Sequence, residues 1–193
     1  MKIFDDVKKY GKLNFAMWTL FYAGIIIGST CKIPIDIFDN IILKKINFWN
    51  LEILNTIIFK EILAVLTLFI FSFTIFGTIL NFASVFTKGL GIGITIYSLY
   101  YKFLIKGIIF GIFAILPGLF ISSAALILFA IQSTKINILI IKRIIYKDGD
   151  LSILKLKLYI KNLSKALMFS ALGAFVHILL SDIFLKLNFL WNR

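Results

Sequence analysis

The sequence has little of what a metal site or a hydrolytic site uses. It holds one cysteine, Cys31, and one histidine, His177. A single cysteine excludes an intrachain disulfide, and one cysteine with one histidine provides neither a zinc ligand set nor a thiol-protease pair. Nothing else in the sequence places a nucleophile beside a base. We therefore expect no enzyme activity, no catalytic residues, no metal and no cofactor.

Acidic residues are also scarce, since 9 Asp and Glu face 21 Lys and Arg and the net charge is +12. In a soluble protein this excess would indicate nucleic-acid binding. Hydrophobic residues, however, make up 61% of the chain and the mean hydropathy is +1.00. Soluble domains contain only about 45–50%. We predict a membrane protein with the lipid bilayer as its partner and no nucleic acid, because cytoplasmic positive charge and anionic headgroups account for the basic excess.

Uncharged runs of spanning length predict an all-α fold: a polytopic membrane helix bundle with five transmembrane helices and amphipathic interfacial helices. The whole chain, 1–193, is expected to form a single membrane domain. Its parts are a cytoplasmic N-terminus (1–12), a non-cytoplasmic interfacial segment (31–61), central helices (62–134), a basic cytoplasmic segment (135–165) and the last span (166–185). The positive charges at the N-terminus and in 135–165 predict a cytoplasmic N-terminus and a non-cytoplasmic C-terminus in the cell membrane.

The first span is predicted at Phe15–Ser29, as a retained helix rather than a cleaved signal peptide. Gly24 and Gly28 form a small-x-x-x-small pair, which favours close contact with another helix. In residues 31–61 four basic and four acidic residues balance, and the apolar residues recur at helical spacing. This pattern predicts an amphipathic helix on the outer membrane surface with Trp49 as its anchor; a docking face for an extracytoplasmic partner is the alternative.

Between residues 62 and 106 the charges are few and widely spaced. Ile62–Thr87 is uncharged and predicts the second span, which Lys88 would end on the cytoplasmic side. The short run Gly89–Tyr101 crosses the membrane only if Lys88 and Lys102 extend to the headgroups; a re-entrant hairpin is the alternative. Lys102 and Lys106 mark the expected outer turn. The glycines at positions 89, 91 and 93 are interpreted as packing residues.

The fourth span is predicted at Gly107–Thr134. Gly107 and Gly111 form a GxxxG pair, and Pro117 predicts a kink or break because proline removes a backbone donor and clashes with the preceding turn. Small residues at 122–125 favour a helix contact.

The basic segment 135–165 carries eight basic residues against two acidic ones. Lys157, Lys161 and Lys165 share one face of a predicted amphipathic helix at the inner leaflet. In the last span the small residues at 166, 170 and 174 recur every four residues, which also favours a helix contact. His177 is interpreted as a helix-contact residue.

The stretch Val85–Pro117, VFTKGLGIGITIYSLYYKFLIKGIIFGIFAILP, resembles the central region of the stage II sporulation protein M family. The matching features are an aromatic-x-Lys-Gly entry, a later glycine and threonine, a Lys-Gly pair and a Leu-Pro pair. With Gly111, the expected helix-packing motif comprises Lys88, Gly89, Gly93, Thr95, Lys106, Gly107, Gly111 and Pro117. The sequence departs from many relatives after the proline, where Gly118-Leu119-Phe120 replaces a His-Gly pair and a following glutamate.

The resemblance implies a non-enzymatic membrane scaffold of the sporulation engulfment machinery. Such a scaffold localises peptidoglycan-degrading partners, the sporulation proteins D and P, at the mother-cell membrane. A small transporter or permease subunit is the alternative, and it would use Lys88, Lys102, Lys106 and His177 beside a proline-broken helix. The predicted spans contain no acidic residue suited to ion coupling, which counts against the transporter.

Overall fold

A computed structural model of the chain describes residues 2–31, 51–146 and 153–186. These residues form helices and no strand: α1 (Lys2–Thr30), α2 (Leu51–Phe71), α3 (Gly77–Phe110), a π-helical segment (Gly111–Ile115), α4 (Leu116–Tyr146) and α5 (Ile153–Lys186). The all-α prediction is confirmed. Among the described residues three stretches are long and apolar enough to cross a membrane, namely Gly11–Thr30, Gly77–Ile144 and Leu156–Phe184.

The stretch Gly77–Ile144 folds back on itself. Leu104 leaves the helical conformation, with φ 51° and ψ −131°. Immediately after it, Gly107 packs so closely on the carbonyl of Leu99 that a Cβ would collide with it. Farther along, the Asn81 amide nitrogen donates to the Ser133 hydroxyl at 2.8 Å. These contacts pair residues on either side of the break, so 77–103 and 105–146 form two antiparallel arms. The turn expected near Lys102 and Lys106 is confirmed.

The helices alternate in direction along the chain. Gly24 and Gly28 of α1 contact α3 near Phe86 and Leu90, respectively, so these two helices run parallel. Hydrogen bonds join Leu68 to Ser133 and Ser72 to Asn137, which makes α2 parallel to α4. Gly118 meets His177 while Gly173 meets Ser122, which makes α4 and α5 antiparallel. Thus α1, the first arm of the hairpin and α5 run one way, and α2 and α4 run the other way.

Glycines allow α1 and α3 to approach at backbone distance. A Cβ on Gly24 or Gly28 would collide with carbonyl groups of α3, and one on Gly89 or Gly93 would collide with carbonyl groups of α1. The predicted packing role of these four glycines is confirmed. For Gly91 the prediction is wrong, because the glycine is exposed and a Cβ there would meet no atom within 4 Å.

The predicted second span, Ile62–Thr87, is wrong as a single helix. Helix α2 ends at Phe71, a turn follows, and α3 begins at Gly77. Asn137 of α4 stabilises this turn: its Nδ2 donates to the carbonyls of Ser72, at 3.2 Å, and of Thr74, and its Oδ1 accepts from the Thr78 amide at 3.1 Å. An uncharged run can therefore contain a turn, because a polar side chain distant in sequence satisfies the freed backbone groups.

The basic cytoplasmic segment also differs from its prediction. Helix α4 continues beyond Thr134 to Tyr146, and α5 is one continuous helix, so its basic N-terminal part and the predicted last span are not separate elements. Tyr159 is buried and stacks on Phe129, with ring centroids 5.3 Å apart. This part of α5 therefore packs into the bundle. Of the predicted interfacial segment 31–61, residues 32–50 lie outside the described residues and 51–61 belong to α2.

The irregularity expected at Pro117 is confirmed as a wide helical turn. The π-helical segment ends directly before the Leu116-Pro117 pair, and the Leu116 amide donates to the Gly111 carbonyl, five residues back. Such a bulge accommodates the clash and the missing donor of proline within a continuing helix. The predicted small-residue contacts are confirmed as well, since these residues are buried: Ser122, Ser123, Ala125, Ala166, Ser170 and Ala174.

Candidate functional site: an ion pair at the centre of the bundle

Two opposite charges meet between α2 and α3. Glu61 is the middle residue of α2, ten residues from Leu51 and ten from Phe71. Lys88 lies well inside the first arm of the hairpin. Its Nζ contacts Glu61 Oε1 directly, and the two side chains are only 16% and 12% exposed, Lys88 first. The prediction that Lys88 ends a span is therefore wrong, since the helix continues through it and the charge is compensated laterally.

The two partners occupy the same level of the bundle. Ser133 donates to the Leu68 carbonyl of α2 and accepts from Asn81 of α3, so these three residues define one level. Glu61 precedes Leu68 by seven residues and Lys88 follows Asn81 by seven residues. Because α2 and α3 are antiparallel, both displacements point toward the hairpin end, by about 10 Å at 1.5 Å per residue. The register of the helices thus brings the two charges together.

The carboxylate of Glu61 is only partly satisfied. Oε1 accepts from Lys88, whereas the buried Oε2 has no hydrogen-bond partner among the described residues. Ser170 of α5 donates to the backbone carbonyl of Glu61 at 3.3 Å and so fixes the backbone, not the carboxylate. A desolvated ion pair stabilises a fold only if it stays intact, because removal of one partner leaves an uncompensated charge. Oε2 could accept one further proton or donor.

His177 lies on α5, at the contact of this helix with α4. The backbone nitrogen and Cβ of His177 pack against Gly118 of α4, which confirms the predicted helix contact. The ion pair thus joins two ionisable side chains from α2 and α3, and paired charges of this kind inside membranes are typical of functional sites.

The sequence prediction missed Glu61 altogether. It grouped Glu61 with the balanced charges of the interfacial segment 31–61, and on that basis found no acidic residue suited to ion coupling inside the spans. The available signal was the apolar sequence on both sides of Lys60-Glu61, with Ile57, Ile58 and Phe59 before it and Ile62 and Leu63 after it. A charged pair flanked so symmetrically by apolar residues fits a helix interior better than a helix end.

The remaining predicted site residues lie apart from the ion pair. Thr95 bonds only locally, donating to the Gly91 carbonyl at 2.9 Å, and Lys106 is exposed beside the hairpin turn. Gly111 lies in the π-helical segment, where an added Cβ would meet a Leu99 methyl group at 3.4 Å. The three lysines predicted at the membrane surface are all exposed on α5: Lys157, Lys161 and Lys165. The motif therefore contributes one member, Lys88, to the candidate site, and its glycines contribute to packing.

Comparison of the chain with protein-family models, curated proteins and solved structures finds no match. The resemblance to the stage II sporulation protein M family thus depends only on the residues quoted for it. Within the described ranges no three His, Cys, Asp or Glu side chains cluster as metal ligands would.

Proposed function

We propose that the chain is a cell-membrane protein with five spans, formed by α1, α2, the two arms of the hairpin and α5. The alternating directions of these helices support this topology, since each span of a polytopic bundle with short connections must reverse the previous one. Helix α2, with 21 residues, has the length that a hydrocarbon core of about 30 Å requires. The basic N-terminus and the basic 135–165 segment favour a cytoplasmic N-terminus and a non-cytoplasmic C-terminus.

Native Cys31 offers a direct test of this topology. It directly follows α1, is half-buried, and is the only cysteine, so the unmodified protein carries one reporter. An impermeant maleimide should label Cys31 in intact cells. A Lys157→Cys variant in a Cys31→Ser background should be labelled only after permeabilisation, and Cys31→Ser alone should show no labelling. Labelling of position 157 from outside would contradict the proposed orientation.

Within this topology we propose a non-enzymatic scaffold that localises peptidoglycan-degrading partners of the sporulation D and P type during engulfment. The resemblance suggests the process. The supporting structural observation is that Lys88 and Glu61 neutralise each other between packed helices, so the charges tie helices together. The cavity between α1, α4 and α5, described below, has neither residue in its lining. A helix bundle whose interior charges pair with each other suits a platform better than a transport path.

The scaffold proposal predicts specific co-purification. The full-length protein, extracted in mild detergent from sporulating cells, should retain a peptidoglycan hydrolase of the D or P type. Scrambling residues 32–50 at constant composition should abolish retention if the predicted interfacial segment is the docking face, whereas the exposed substitution Lys161→Gln should not. If the scrambled variant still retains both hydrolases, residues 32–50 are not the docking face. If the wild-type preparation retains neither hydrolase, the scaffold proposal is contradicted.

A small transporter subunit is the second candidate, and Glu61 is the observation that favours it. The structure supplies the acidic residue suited to ion coupling that the predicted spans lacked, and its Oε2 has no hydrogen-bond partner among the described residues. Proteoliposomes containing the purified chain should then dissipate a proton or cation gradient. Glu61→Gln should abolish the flux, and Lys60→Gln, at an exposed neighbouring position, should leave it unchanged. Flux equal to that of empty liposomes would exclude transport by the chain alone.

A further inference from the structure

A cavity of about 630 Å³ lies between α1, α4 and α5, away from the ion pair. Its lining is divided by polarity. One end carries the polar and basic side chains, which are Asn14, Gln132, Lys135, Asn162 and Lys165. The other end is apolar, and Ala125, Leu128 and Phe169 represent it. The cavity therefore matches an amphiphile with one polar end and one hydrocarbon end.

The charge of the lining selects the sign of the ligand. Lys135 and Lys165 both line the cavity, and no acidic residue lines it among those whose side chains the structure describes. Lys135 is half-buried and Lys165 is exposed, so the basic end of the cavity is open to solvent or headgroups. Two ammonium groups with amide side chains beside them can bind a phosphate oxygen through charge-assisted hydrogen bonds.

The dimensions of the cavity match one bilayer leaflet. Lys135 and Ala125 are ten residues apart on α4, which is about 15 Å along the helix axis. Half of the hydrocarbon core is also about 15 Å thick. In the proposed topology, Ala125 lies near mid-membrane and Lys135 lies at the cytoplasmic boundary. The basic end thus coincides with the headgroups of the cytoplasmic leaflet and the apolar end with the acyl chains.

We propose that this cavity binds one anionic phospholipid of the cytoplasmic leaflet. Lys135 and Lys165 hold its phosphate, and an acyl chain extends along Leu128 and Phe169 toward the bundle centre. Basic pockets between membrane helices on the cytoplasmic side are suited to such headgroups. The bound lipid would connect α1 to the α4–α5 pair. This inference rests on the orientation part of the proposed function.

The test measures lipid affinity of the purified, delipidated full-length protein in neutral detergent. Phosphatidylglycerol and phosphatidylcholine are titrated separately and bound lipid is counted by native mass spectrometry. The double variant Lys135→Gln/Lys165→Gln should bind phosphatidylglycerol about thirtyfold more weakly, which corresponds to about 1 kcal/mol for each lysine. The matched double variant Lys102→Gln/Lys106→Gln changes two exposed lysines at the hairpin turn, outside the lining, and it should stay within about threefold of wild type.

Further measurements separate the contribution of the headgroup from that of the acyl chain, and separate the lipid site from the orientation of the protein in the membrane. Leu128→Trp, at an exposed position of the apolar end, should also weaken phosphatidylglycerol binding. This variant provides the test of the site if the double lysine variant fails to fold. Equal affinity for phosphatidylcholine would overturn the proposal. So would displacement of the lipid by millimolar inorganic phosphate, which would indicate a free-anion site. Failure of the orientation would appear separately, as Cys31 labelling only after permeabilisation, while lipid counts remained unchanged.

Discussion

The Glu61–Lys88 pair leads to the sharpest prediction about stability. Lys88→Met removes the cation and leaves a carboxylate with neither oxygen paired; Glu61→Gln leaves a buried ammonium without a counterion. Removing one partner of a buried ion pair costs about 3–5 kcal/mol. Exposure of 16% for Lys88 and 12% for Glu61 leaves little water to replace the lost partner, so we expect each single variant to fall in this range.

The double variant decides whether the charges act as a pair. Glu61→Gln/Lys88→Met has no charge left to desolvate, and replacement of a whole buried pair is often close to neutral. We expect its free energy of unfolding to lie within about 1 kcal/mol of wild type. The coupling energy of the cycle should therefore be well above the 0.3–0.5 kcal/mol or so within which independent sites add.

The assay is reversible unfolding of the full-length protein in bicelles, followed by steric trapping or by titration with a denaturing detergent. Lys60→Met is the matched control, because Lys60 precedes Glu61 on α2 and is exposed. It should change the free energy of unfolding by about 0.5 kcal/mol or less. Single variants that cost less than about 1 kcal/mol, or a double variant whose cost is the sum of the singles, would refute the buried-pair reasoning.

Three further predictions concern backbone contacts, each measured as the free energy of unfolding in the same bicelle assay. Gly89→Ala should cost about 1–3 kcal/mol, since its Cβ would meet a carbonyl of α1. The same change at exposed Gly91 should be neutral or stabilising by up to about 1 kcal/mol, and equal effects at the two positions would contradict the assigned helix contact. Asn137→Leu should cost about 2 kcal/mol, from four hydrogen bonds of about 0.6 kcal/mol each, and a cost near zero would show that the turn after α2 does not depend on it. Leu104→Gly should be neutral or stabilising by up to about 1 kcal/mol, because φ is positive at Leu104. Gly107→Ala should lower the free energy of unfolding, and a destabilising Leu104→Gly with a neutral Gly107→Ala would disprove the hairpin turn.

Side-chain size along the chain predicted much of the helix packing. Gly24 and Gly28 were recognisable because two small residues four apart lie on one helix face, and a helix partner is the common reason for such a face. The turn near Lys102 and Lys106 was recognisable because two closely spaced charges interrupt apolar sequence. These features are local, and helical periodicity alone is enough to derive them.

The candidate site required the tertiary register. Glu61 and Lys88 are 27 residues apart in sequence, on different helices, and each looks like a helix end when hydropathy is read along the chain. Asn137 likewise stabilises a turn about 60 residues away. Hydropathy assigns each polar residue a free-energy cost of burial that does not depend on its partner. In the folded bundle a partner offsets most of that cost.

The sequence by itself thus determined an apolar, helical, basic chain with small-residue contact faces, because composition and periodicity are properties of single segments. Only the tertiary structure decided where the helices end and which charges lie inside. The reason is that burial of a polar group depends on what another helix places beside it at the same level of the bundle.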